Sequence, residues 1–301
     1  MAFFLGIDSG GSKTSCLIGD ERSVLGTGTA AGSNVVRVGE ARAQESLGAA
    51  ISQACAEAKV SPAQVQRTCL GAAGAARPEI ESALRRMLSE IVSGEVQVVG
   101  DMVIALEVAF STGPGVIVIA GTGSIAYGRN ATGETARAGG WGPAVSDEGS
   151  GHWIGRAAVS AALRGHDQSK TTGLLEGFMR AWSISSHEQL VLTANATPAP
   201  DFSTLFPIVC SSADVGDALA RDILHRAGAE LAVLAGIVIE RLFPGTDAVP
   251  VAMSGGVFQN SPTVREVFYN SLRSKCFGAV VSSDVVDPVR GALELARGAQ
   301  H

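Results

Sequence analysis

A strand, a glycine-rich bend and a second strand occur twice in this chain, and this repeat constrains its fold most strongly. The first copy spans residues 6–15, GIDSGGSKTS, and the second begins with the apolar residues 116–119 and continues through AGTGS. In the first copy Ser12 separates Gly11 from Lys13, and the segment after it is short and β-branched without a helical period. The unit is therefore a hairpin and not a P-loop. Two such hairpins predict a duplicated domain with a ligand cleft between its halves.

Apolar strands alternate with segments of helical period along the rest of the chain. Strands are expected at residues 3–7, 69–72, 96–100, 249–253 and 280–281. Helices are expected at residues 39–59, from Pro78, at 102–110, at 151–163, within 214–243, from Pro262 and from Pro288 to Arg297. This alternation predicts an α/β fold with two lobes, each a mixed sheet with helices. The lobes are expected to comprise residues 1–112, joined by the C-terminal helix 288–301, and residues 113–287.

Composition narrows the classes of partner. Of 301 residues, 46% are apolar and 17% charged, which is typical of a globular α/β protein with an ample core. A net charge of −6 provides no field that would attract nucleic acid or an anionic membrane, so neither partner is expected. The five cysteines are scattered without a Cys-x-x-Cys pair, which favours buried thiols in a reducing compartment. The initial MAFFLGID is interpreted as a strand rather than a signal peptide, and a cytoplasmic location is expected.

Two aspartates stand where strands are expected to end. Asp8 is either a turn residue that bonds its own backbone or a carboxylate that orients Mg²⁺ while Lys13 or Thr14 binds phosphate. The presence of a second glycine bend favours the functional alternative. Asp101 could be a helix N-cap or a general base that accepts the proton of an alcohol attacking a γ-phosphate. Open α/β sheets bind ligands at the carboxyl ends of their strands, which favours the base.

The most unusual segment is residues 139–155, GGWGPAVSDEGSGHWIG. Its many glycines and its Asp147-Glu148 pair make a poor core element. A loop that allows close backbone approach and offers Trp141 as an aromatic platform suits a polar ligand such as a sugar, although a purely structural loop is the alternative. His152 has no partner at metal-ligand spacing, and we interpret it as structural.

Two further glycine turns could contact a nucleotide. Thr122-Gly123-Ser124 offers backbone amides and two hydroxyls to a phosphate, although such a bend is also an ordinary hairpin turn. In MSGGVFQN, the glycines Gly255 and Gly256 would let adenine or ribose approach the backbone, with Asn260 available for hydrogen bonding. The alternative is a plain strand-to-helix turn.

Taken together, these segments resemble the ATP-binding motifs of the actin, hexokinase and heat-shock chaperone superfamily. Within it they resemble the BadF/BadG/BcrA/BcrD ATPase family, whose sugar-phosphorylating branch includes N-acetylglucosamine kinase and glucosamine kinase. The motifs are, in chain order, GIDSGGSKT, VVGDMVIAL, VIVIAGTGS, GGWGPAVSDEGSGHWIG, VAMSGGVFQN and DPVRGALELA. The resemblance covers nearly the whole chain, and its most specific part is GGWG followed by DEGS. Ser146 is a departure, because relatives usually have glycine before Asp-Glu-Gly.

The resemblance implies an ATP-dependent hexosamine kinase that uses Mg²⁺, phosphorylates the 6-hydroxyl of N-acetylglucosamine or glucosamine, and forms a homodimer. Asp101 would be the general base and Asp8 would help to place Mg²⁺. The phosphates of ATP would be held by Gly10, Gly11, Ser12, Lys13, Thr14, Gly121, Thr122, Gly123 and Ser124. The sugar would be bound by Asn34, Asp101, Gly140, Trp141 and Asp147, and adenosine by Gly255, Gly256 and Asn260.

Two other functions stay open at this stage. An ATP-driven activator of a 2-hydroxyacyl-CoA dehydratase needs cysteines that hold an iron–sulfur cluster between subunits, and two suitably placed cysteines are not evident. The activator branch also lacks the tryptophan-containing loop. A third branch of the superfamily, the ROK-type repressors and kinases, carries a cysteine-rich zinc motif that is absent from this sequence. A sensor that binds nucleotide and sugar without turnover is disfavoured by the complete set of acidic residues, because a sensor needs no base.

Overall fold

The computed structural model describes residues 2–170 and 172–298, and the chain divides into two compact units. The first unit comprises the residues up to Pro114 and those from Val286 onward, and the second unit comprises Gly115–Val285. Each unit contains one five-stranded sheet. The prediction of two mixed sheets with helices is confirmed.

The sheet of the first unit carries two aspartates near one edge. Its strands are β1 Phe3–Ser9, β2 Lys13–Gly19, β3 Val24–Ala31, β4 Val65–Ala72 and β5 Glu95–Gly100. The strand order is β3-β2-β1-β4-β5, in which β1 is antiparallel to β2 and parallel to β4, and β4 is parallel to β5. The carboxyl ends of β1, β4 and β5 therefore lie along the same edge of the sheet.

Four helices precede residue 111 in the first unit. They are α1 Val35–Val38, α2 Glu40–Ala58, α3 Pro78–Ser89 and α4 Asp101–Phe110. A single 3₁₀ turn, Pro62–Gln64, follows α2, and a capping box between Ser61 and Gln64 stabilises it. Residues of α2 and α3 share one apolar cluster with Leu5 and Ile7 of β1, so these helices cover one face of the sheet.

The second unit repeats the strand arrangement of the first. Its strands are β6 Gly115–Ala120, β7 Ser124–Arg129, β8 Thr135–Gly139, β9 Val249–Ser254 and β10 Ala279–Val286. The order is β10-β9-β6-β7-β8, with β6 antiparallel to β7 and parallel to β9. In reverse this order is β8-β7-β6-β9-β10, which corresponds to β3-β2-β1-β4-β5 of the first unit. In both units three strands joined by hairpins lie beside two strands from later in the chain. The sequence repeat thus corresponds to a repeat of topology, although the third strand of this trio, β8, was not expected from the sequence.

Most of the second unit is helical. Its helices are α5 Gly151–Asp167, α6 Leu174–Ala181, α7 His187–Ala194, α8 Phe206–Asp214, α9 Ala218–Leu242, α10 Gly256–Asn260 and α11 Pro262–Lys275, with a 3₁₀ turn at Phe202–Leu205. The short helices α6 and α7 were not expected either. No helix within residues 2–170 and 172–298 is both long and apolar enough to cross a bilayer.

The last helix, α12 Pro288–Arg297, packs in the first unit on β1 and α4. Two glycines permit the close approach: a Cβ on Gly6 would lie 2.3 Å from the Leu293 nitrogen, and one on Gly291 would lie 2.0 Å from the Ile104 oxygen. Phe4 of β1 joins the apolar cluster beneath α12, whereas its neighbours Leu5 and Ile7 face the opposite side. β1, which contains Asp8, is therefore packed on both faces.

Candidate functional site

The turn between β1 and β2, residues 9–13, is closed by main-chain hydrogen bonds. The Gly10 N–H donates to the Lys13 carbonyl at 3.0 Å, and the Ser33 N–H donates to the Gly10 carbonyl at 3.2 Å. A Cβ on Gly10 would lie 2.7 Å from the Lys13 oxygen, so the bend requires glycine at this position. Ser12 and Lys13 are exposed, so their surfaces are accessible to a ligand.

Asp8 lies in a group of like charges at the end of β1. Burial raises the pKa of Asp8 to about 7, repulsion from the Asp101 and Asp287 carboxylates adds to the rise, and Lys13 opposes it. Asp287 is the N-cap residue of α12, but its side chain accepts no capping hydrogen bond from the main-chain N–H groups of that helix, which the structure describes in full. The sequence places Asp287 directly before the last helix, but sequence reasoning missed its proximity to Asp8. The only available signal was its place before a helix that had to return to the first strand.

Asp101 is the first residue of α4 and follows β5 directly. The N-cap is Gly100, and the Asp101 carboxylate accepts a bond from the Met102 N–H at 3.0 Å, so the N-cap interpretation of Asp101 is wrong. Ser9 is in register with Ala72, and Ala72 with Gly100, so Asp8 and Asp101 lie near the same sheet edge, two strands apart. Burial raises the pKa of Asp101, while main-chain N–H groups at the start of the helix oppose the rise.

Thr14 and Asn34 are held by local hydrogen bonds. Thr14 exposes none of its surface, and its hydroxyl bonds to the Ala31 carbonyl and to Ser33. The Thr14 side chain faces the protein interior, so the contact of Thr14 with phosphate stays a prediction that its main chain would have to make. Asn34 is half-buried, and its side-chain oxygen caps α1 by accepting the Val36 N–H at 3.1 Å. The Asn34 amide nitrogen is the part of this side chain that a ligand could use.

The turn between β6 and β7, residues 121–123, is joined to the start of α5. The Gly121 N–H donates to the Gly123 carbonyl at 2.9 Å, and the Gly151 N–H donates to the Gly121 carbonyl at 2.8 Å. The Ser124 hydroxyl donates to the Glu148 carbonyl at 2.7 Å, and Ser124 is buried. The Ser124 hydroxyl therefore uses its proton to hold the loop that contains Glu148, and a contact of Ser124 with phosphate stays a prediction. Thr122 is half-buried.

Asp147 links this turn to the loop of residues 140–150, which we call the tryptophan loop. Main-chain N–H groups of Gly142 and Ser124 donate to its buried carboxylate; burial raises the pKa of Asp147 and these bonds oppose the rise. A Cβ on Gly123 would lie 2.9 Å from the Asp147 carboxylate. The left-handed conformation falls on Asp147, at φ 67°, and not on the unusual Ser146, whose hydroxyl donates to the Glu148 carboxylate at 3.1 Å.

Trp141 lies at the surface of the tryptophan loop with 68% of its area exposed. The Arg137 guanidinium carbon lies 4.1 Å from the centroid of the indole ring, a cation–π geometry that covers one part of the ring. The preceding residue, Gly140, has φ 70°, and a Cβ there would lie 2.8 Å from the Ile125 side chain. The main chain that leads to Trp141 therefore requires glycine at this position. The exposed indole offers an aromatic face, with a polar N–H, on which a ligand could stack.

Gly255 and Gly256 have different environments. Gly255 has φ 99°, and a Cβ there would lie 2.4 Å from the Ala120 carbonyl oxygen, so it permits close packing of β9 on the end of β6. Gly256 begins α10, and the nearest atom to a Cβ there is the Asn260 amide nitrogen at 3.8 Å. Asn260 is exposed, and its amide donates to the Gly256 carbonyl at 2.8 Å. Gly256 and Asn260 are therefore the more accessible members of this group.

Comparisons with known proteins cover nearly the whole chain. Residues 5–296 match the model of the BadF/BadG/BcrA/BcrD ATPase family. The chain is 32% identical to an N-acetylmuramic acid/N-acetylglucosamine kinase of Clostridium acetobutylicum, with 99% of each protein aligned. It is 28% identical to an N-acetyl-D-glucosamine kinase of Dictyostelium discoideum, with 97% of each aligned.

Solved structures share the fold. A protein of Chromobacterium violaceum, solved as a candidate N-acetylglucosamine kinase, is 25% identical with a TM-score of 0.77, covering 98% of this chain and 99% of that one. A ROK family glucokinase of Streptomyces griseus, solved with glucose and AMPPNP, is 16% identical with a TM-score of 0.65, covering 99% and 100%. At that lower identity the likeness shows the fold alone.

Proposed function

Because this chain belongs to the BadF/BadG/BcrA/BcrD ATPase family, we propose that it is an ATP-dependent kinase that phosphorylates the 6-hydroxyl of an amino sugar. Its curated relatives, which align over almost their full length, support a sugar kinase. N-acetylglucosamine and glucosamine are the proposed acceptors, since both relatives carry N-acetylglucosamine in their names.

The placement of Asp101 is the observation that carries the proposal. A general base needs a carboxylate that is fixed in position and has a raised pKa. Burial raises the pKa of Asp101, and the Met102 N–H fixes its carboxylate at the start of α4. In the proposed reaction the sugar 6-oxygen attacks the γ-phosphorus, the bond from phosphorus to the ADP oxygen breaks, and Asp101 accepts the hydroxyl proton.

The first unit also suits Mg²⁺ and phosphate. Asp8 has oxygen donors and lies within electrostatic reach of two further carboxylates, an excess of negative charge that a divalent cation would relieve. We assign Asp8 to hold Mg²⁺, which when bound neutralises charge on the phosphates. The residues proposed to contact phosphate in this unit are Gly10, Gly11, Ser12, Lys13 and, through its main chain, Thr14.

The remaining ligand contacts are proposed from the tryptophan loop and the glycine turns. The turn of Gly121, Thr122, Gly123 and Ser124 is proposed to contact phosphate, because no bulky side chain extends from it. The Gly121 N–H itself donates to the Gly123 carbonyl and shapes the turn. The residues proposed to bind the sugar are Asn34, Gly140, Trp141 and Asp147. Those proposed to face adenosine are Gly255, Gly256 and Asn260.

Substitution of Asp101 tests the proposal directly. Asp101→Asn removes the base but keeps an oxygen that can accept the Met102 N–H, so the local fold should persist. We expect kcat with N-acetylglucosamine to fall by roughly 10²–10⁴-fold while the sugar Kd changes little. ADP release and calorimetric sugar binding measure the two quantities. Unchanged turnover would refute Asp101 as the base.

The rival functions predict different patterns of ADP release. A kinase releases ADP only with its acceptor, so the assay should include N-acetylglucosamine, glucosamine, N-acetylmuramic acid and glucose. Sugar-independent hydrolysis would favour the dehydratase activator, and binding without product would favour the sensor. Cys16, Cys55 and Cys69 are buried free thiols, so among the described residues only Cys210 and Cys276 are accessible enough to bind the cluster that the activator would need.

A carboxylated amino sugar is a second candidate acceptor, and Arg137 is the observation that favours it. The Arg137 guanidinium lies over the exposed Trp141 ring, and the ion pairs found among the described residues do not include it. An unpaired guanidinium beside an aromatic platform suits a sugar that bears a carboxylate. N-acetylmuramic acid is N-acetylglucosamine with a carboxylate on an ether side chain, and it appears in the name of the Clostridium relative.

The two acceptors can be separated with one variant. Arg137→Gln should lower kcat/KM for N-acetylmuramic acid by roughly tenfold, because a charge-assisted bond is lost. N-acetylglucosamine serves as the internal control, and its kcat/KM should stay within about twofold since it has no carboxylate. Arg137→Lys should retain part of the preference. Equal loss with both sugars would contradict recognition of the carboxylate by Arg137.

A further inference from the structure

Three buried hydroxyl side chains meet inside the first unit, and the proposed reaction uses none of them. Ser9 Oγ and Ser33 Oγ lie 2.8 Å apart, and Thr14 Oγ1 lies 2.7 Å from both Ser33 Oγ and the Ala31 carbonyl oxygen. Ser9 is 1% exposed, and Thr14 and Ser33 are 0% exposed. We call Ser9, Thr14 and Ser33 the hydroxyl cluster.

One direction of donation satisfies all three hydroxyls. A carbonyl oxygen can only accept, so the single Thr14 proton goes to Ala31. Ser33 then donates to Thr14, and Ser9 donates to Ser33. Each proton has an acceptor, and a chain of this kind strengthens its own members. Removing the middle hydroxyl would leave Ser9 as a buried donor without its partner, so the cluster acts as one unit.

The cluster joins two segments that are separate in sequence. Each member is adjacent to a residue of the proposed site: Ser9 to Asp8, Thr14 to Lys13, and Ser33 to Asn34. The main chain adds to the link, because the Ser33 N–H donates to the Gly10 carbonyl at 3.2 Å. A Cβ on Gly32 would lie 2.3 Å from the Gly11 oxygen, so the two backbones are in direct contact.

We propose that Ser33 is a positioning residue that holds the Asn34 segment on the β1–β2 turn through the hydroxyl cluster. This inference rests on the proposed function, in which the turn contacts nucleotide and Asn34 contacts sugar. Ordering of either segment by its ligand then favours the geometry that the other ligand needs. Binding of nucleotide and sugar is therefore coupled, and the coupling is reciprocal.

Calorimetry of the full-length protein tests the coupling. The Kd of N-acetylglucosamine is measured with and without a saturating non-hydrolysable ATP analogue and Mg²⁺. In the unmodified protein we expect the nucleotide to tighten sugar binding by about fivefold or more. In Ser33→Ala this factor should fall to about one, while the sugar Kd without nucleotide changes by less than about threefold.

A second pair of variants separates the hydroxyl from the shape of the side chain. Thr14→Val keeps the branched shape but removes the hydroxyl, and should lose the coupling as Ser33→Ala does. Thr14→Ser keeps the hydroxyl and should restore it. Ser46→Ala is the matched control, because Ser46 is a buried serine of α2 outside the cluster. It should keep the full coupling factor even if its unfolding temperature falls.

The outcomes distinguish this inference from the function on which it rests. Wild-type coupling in Ser33→Ala and Thr14→Val would overturn the inference, as would absence of coupling in an unmodified protein that phosphorylates the sugar. Equal loss of coupling in Ser46→Ala would also overturn it, because the effect would then be one of general destabilisation. If the unmodified protein phosphorylates no amino sugar, the proposed function fails instead.

Discussion

The two glycine turns occupy the same place in the two units but are held by different groups. Each joins the first two strands of a hairpin-linked trio beside two later strands. In the first unit, buried hydroxyl side chains tie the turn to the Asn34 segment. In the second unit, main-chain bonds from Gly121 and Gly151 tie the turn to itself and to α5. The same backbone bend has thus been stabilised in two ways.

The turns also differ in where their negative charge comes from. Asp8 pairs with Ser15, one step before the last pair of its hairpin, and Ile119, paired with Ile125, holds that position in the second unit. In the second unit the nearby negative charge comes from Asp147 of the tryptophan loop. The Asp147 carboxylate accepts a hydrogen bond from the main-chain N–H of Ser124, at the end of the turn. The first turn therefore carries charge within its own strand, as a cation site needs, whereas the second offers main-chain donors.

The largest effect on stability is expected at Gly255, which follows β9 and packs against the base of the turn between β6 and β7. Gly255 has φ 99° and would place a Cβ 2.4 Å from the Ala120 oxygen at the base of the second turn. Gly255→Ala should lower the free energy of unfolding by about 3 kcal/mol, because the left-handed conformation and the backbone contact both oppose a Cβ. Denaturant titration measures the change.

The neighbouring glycine provides the control for that experiment. Gly256→Ala adds a Cβ whose nearest atom is 3.8 Å away, so its stability should stay within about 0.5 kcal/mol of the unmodified protein. If adenosine lies on Gly256, this variant should raise KM for ATP alone. Equal stability of the two alanine variants would refute the close packing on the second turn.

A smaller difference in stability is expected between alanine variants of the two glycine turns, at Gly10 in the first unit and Gly121 in the second. Gly10→Ala would place a Cβ 2.7 Å from the Lys13 carbonyl, whereas a Cβ on Gly121 meets no described atom within 4 Å. We expect Gly10→Ala to cost about 2 kcal/mol of stability and Gly121→Ala less than about 0.5 kcal/mol. Thermal unfolding compares the two variants. A Gly121→Ala protein as unstable as Gly10→Ala would show that both turns are closed in the same way.

The framework of both sheets could be predicted from the sequence because their central strands are short apolar runs bounded by glycine or proline. The edge strand β8 was missed, since its half-buried residues lack a clear alternation. The helices α6 and α7 are only 8 residues long each, too short for a helical period to be distinguished. In each case the local pattern was weak and tertiary packing decided the structure.

The candidate site was predictable in part for a similar reason. The place of Asp101 at a strand end can be inferred from neighbouring residues. The roles of the Thr14 and Ser124 hydroxyls cannot, because each depends on a partner 19 or 24 residues away. Asp287 was overlooked because it comes near Asp8 only through the packing of the last helix. Whether a polar side chain faces a ligand or the interior is settled by such distant contacts.

Substitution of Trp141, which belongs to neither turn, is expected to affect stability less than substitution of Gly255 or Gly10. Trp141 is 68% exposed, and its ring contacts the Arg137 guanidinium, a contact that truncation would remove. Such an exposed cation–π contact contributes about 0.5–1 kcal/mol, so Trp141→Ala should destabilise the protein by no more than about 1 kcal/mol. Its KM for amino sugar should nevertheless rise by about tenfold, as loss of an aromatic platform weakens binding.

Trp141→Phe should recover much of the sugar affinity, because an aromatic face remains. Steady-state kinetics with each substrate varied in turn distinguishes the possibilities. A rise confined to the KM for ATP would contradict the platform role and assign the tryptophan loop to the nucleotide. A large loss of stability would instead mean that the loop is fastened through Trp141, as the second turn is through Asp147. The exposed indole argues against that second outcome, since a side chain so accessible to water has little buried area to lose.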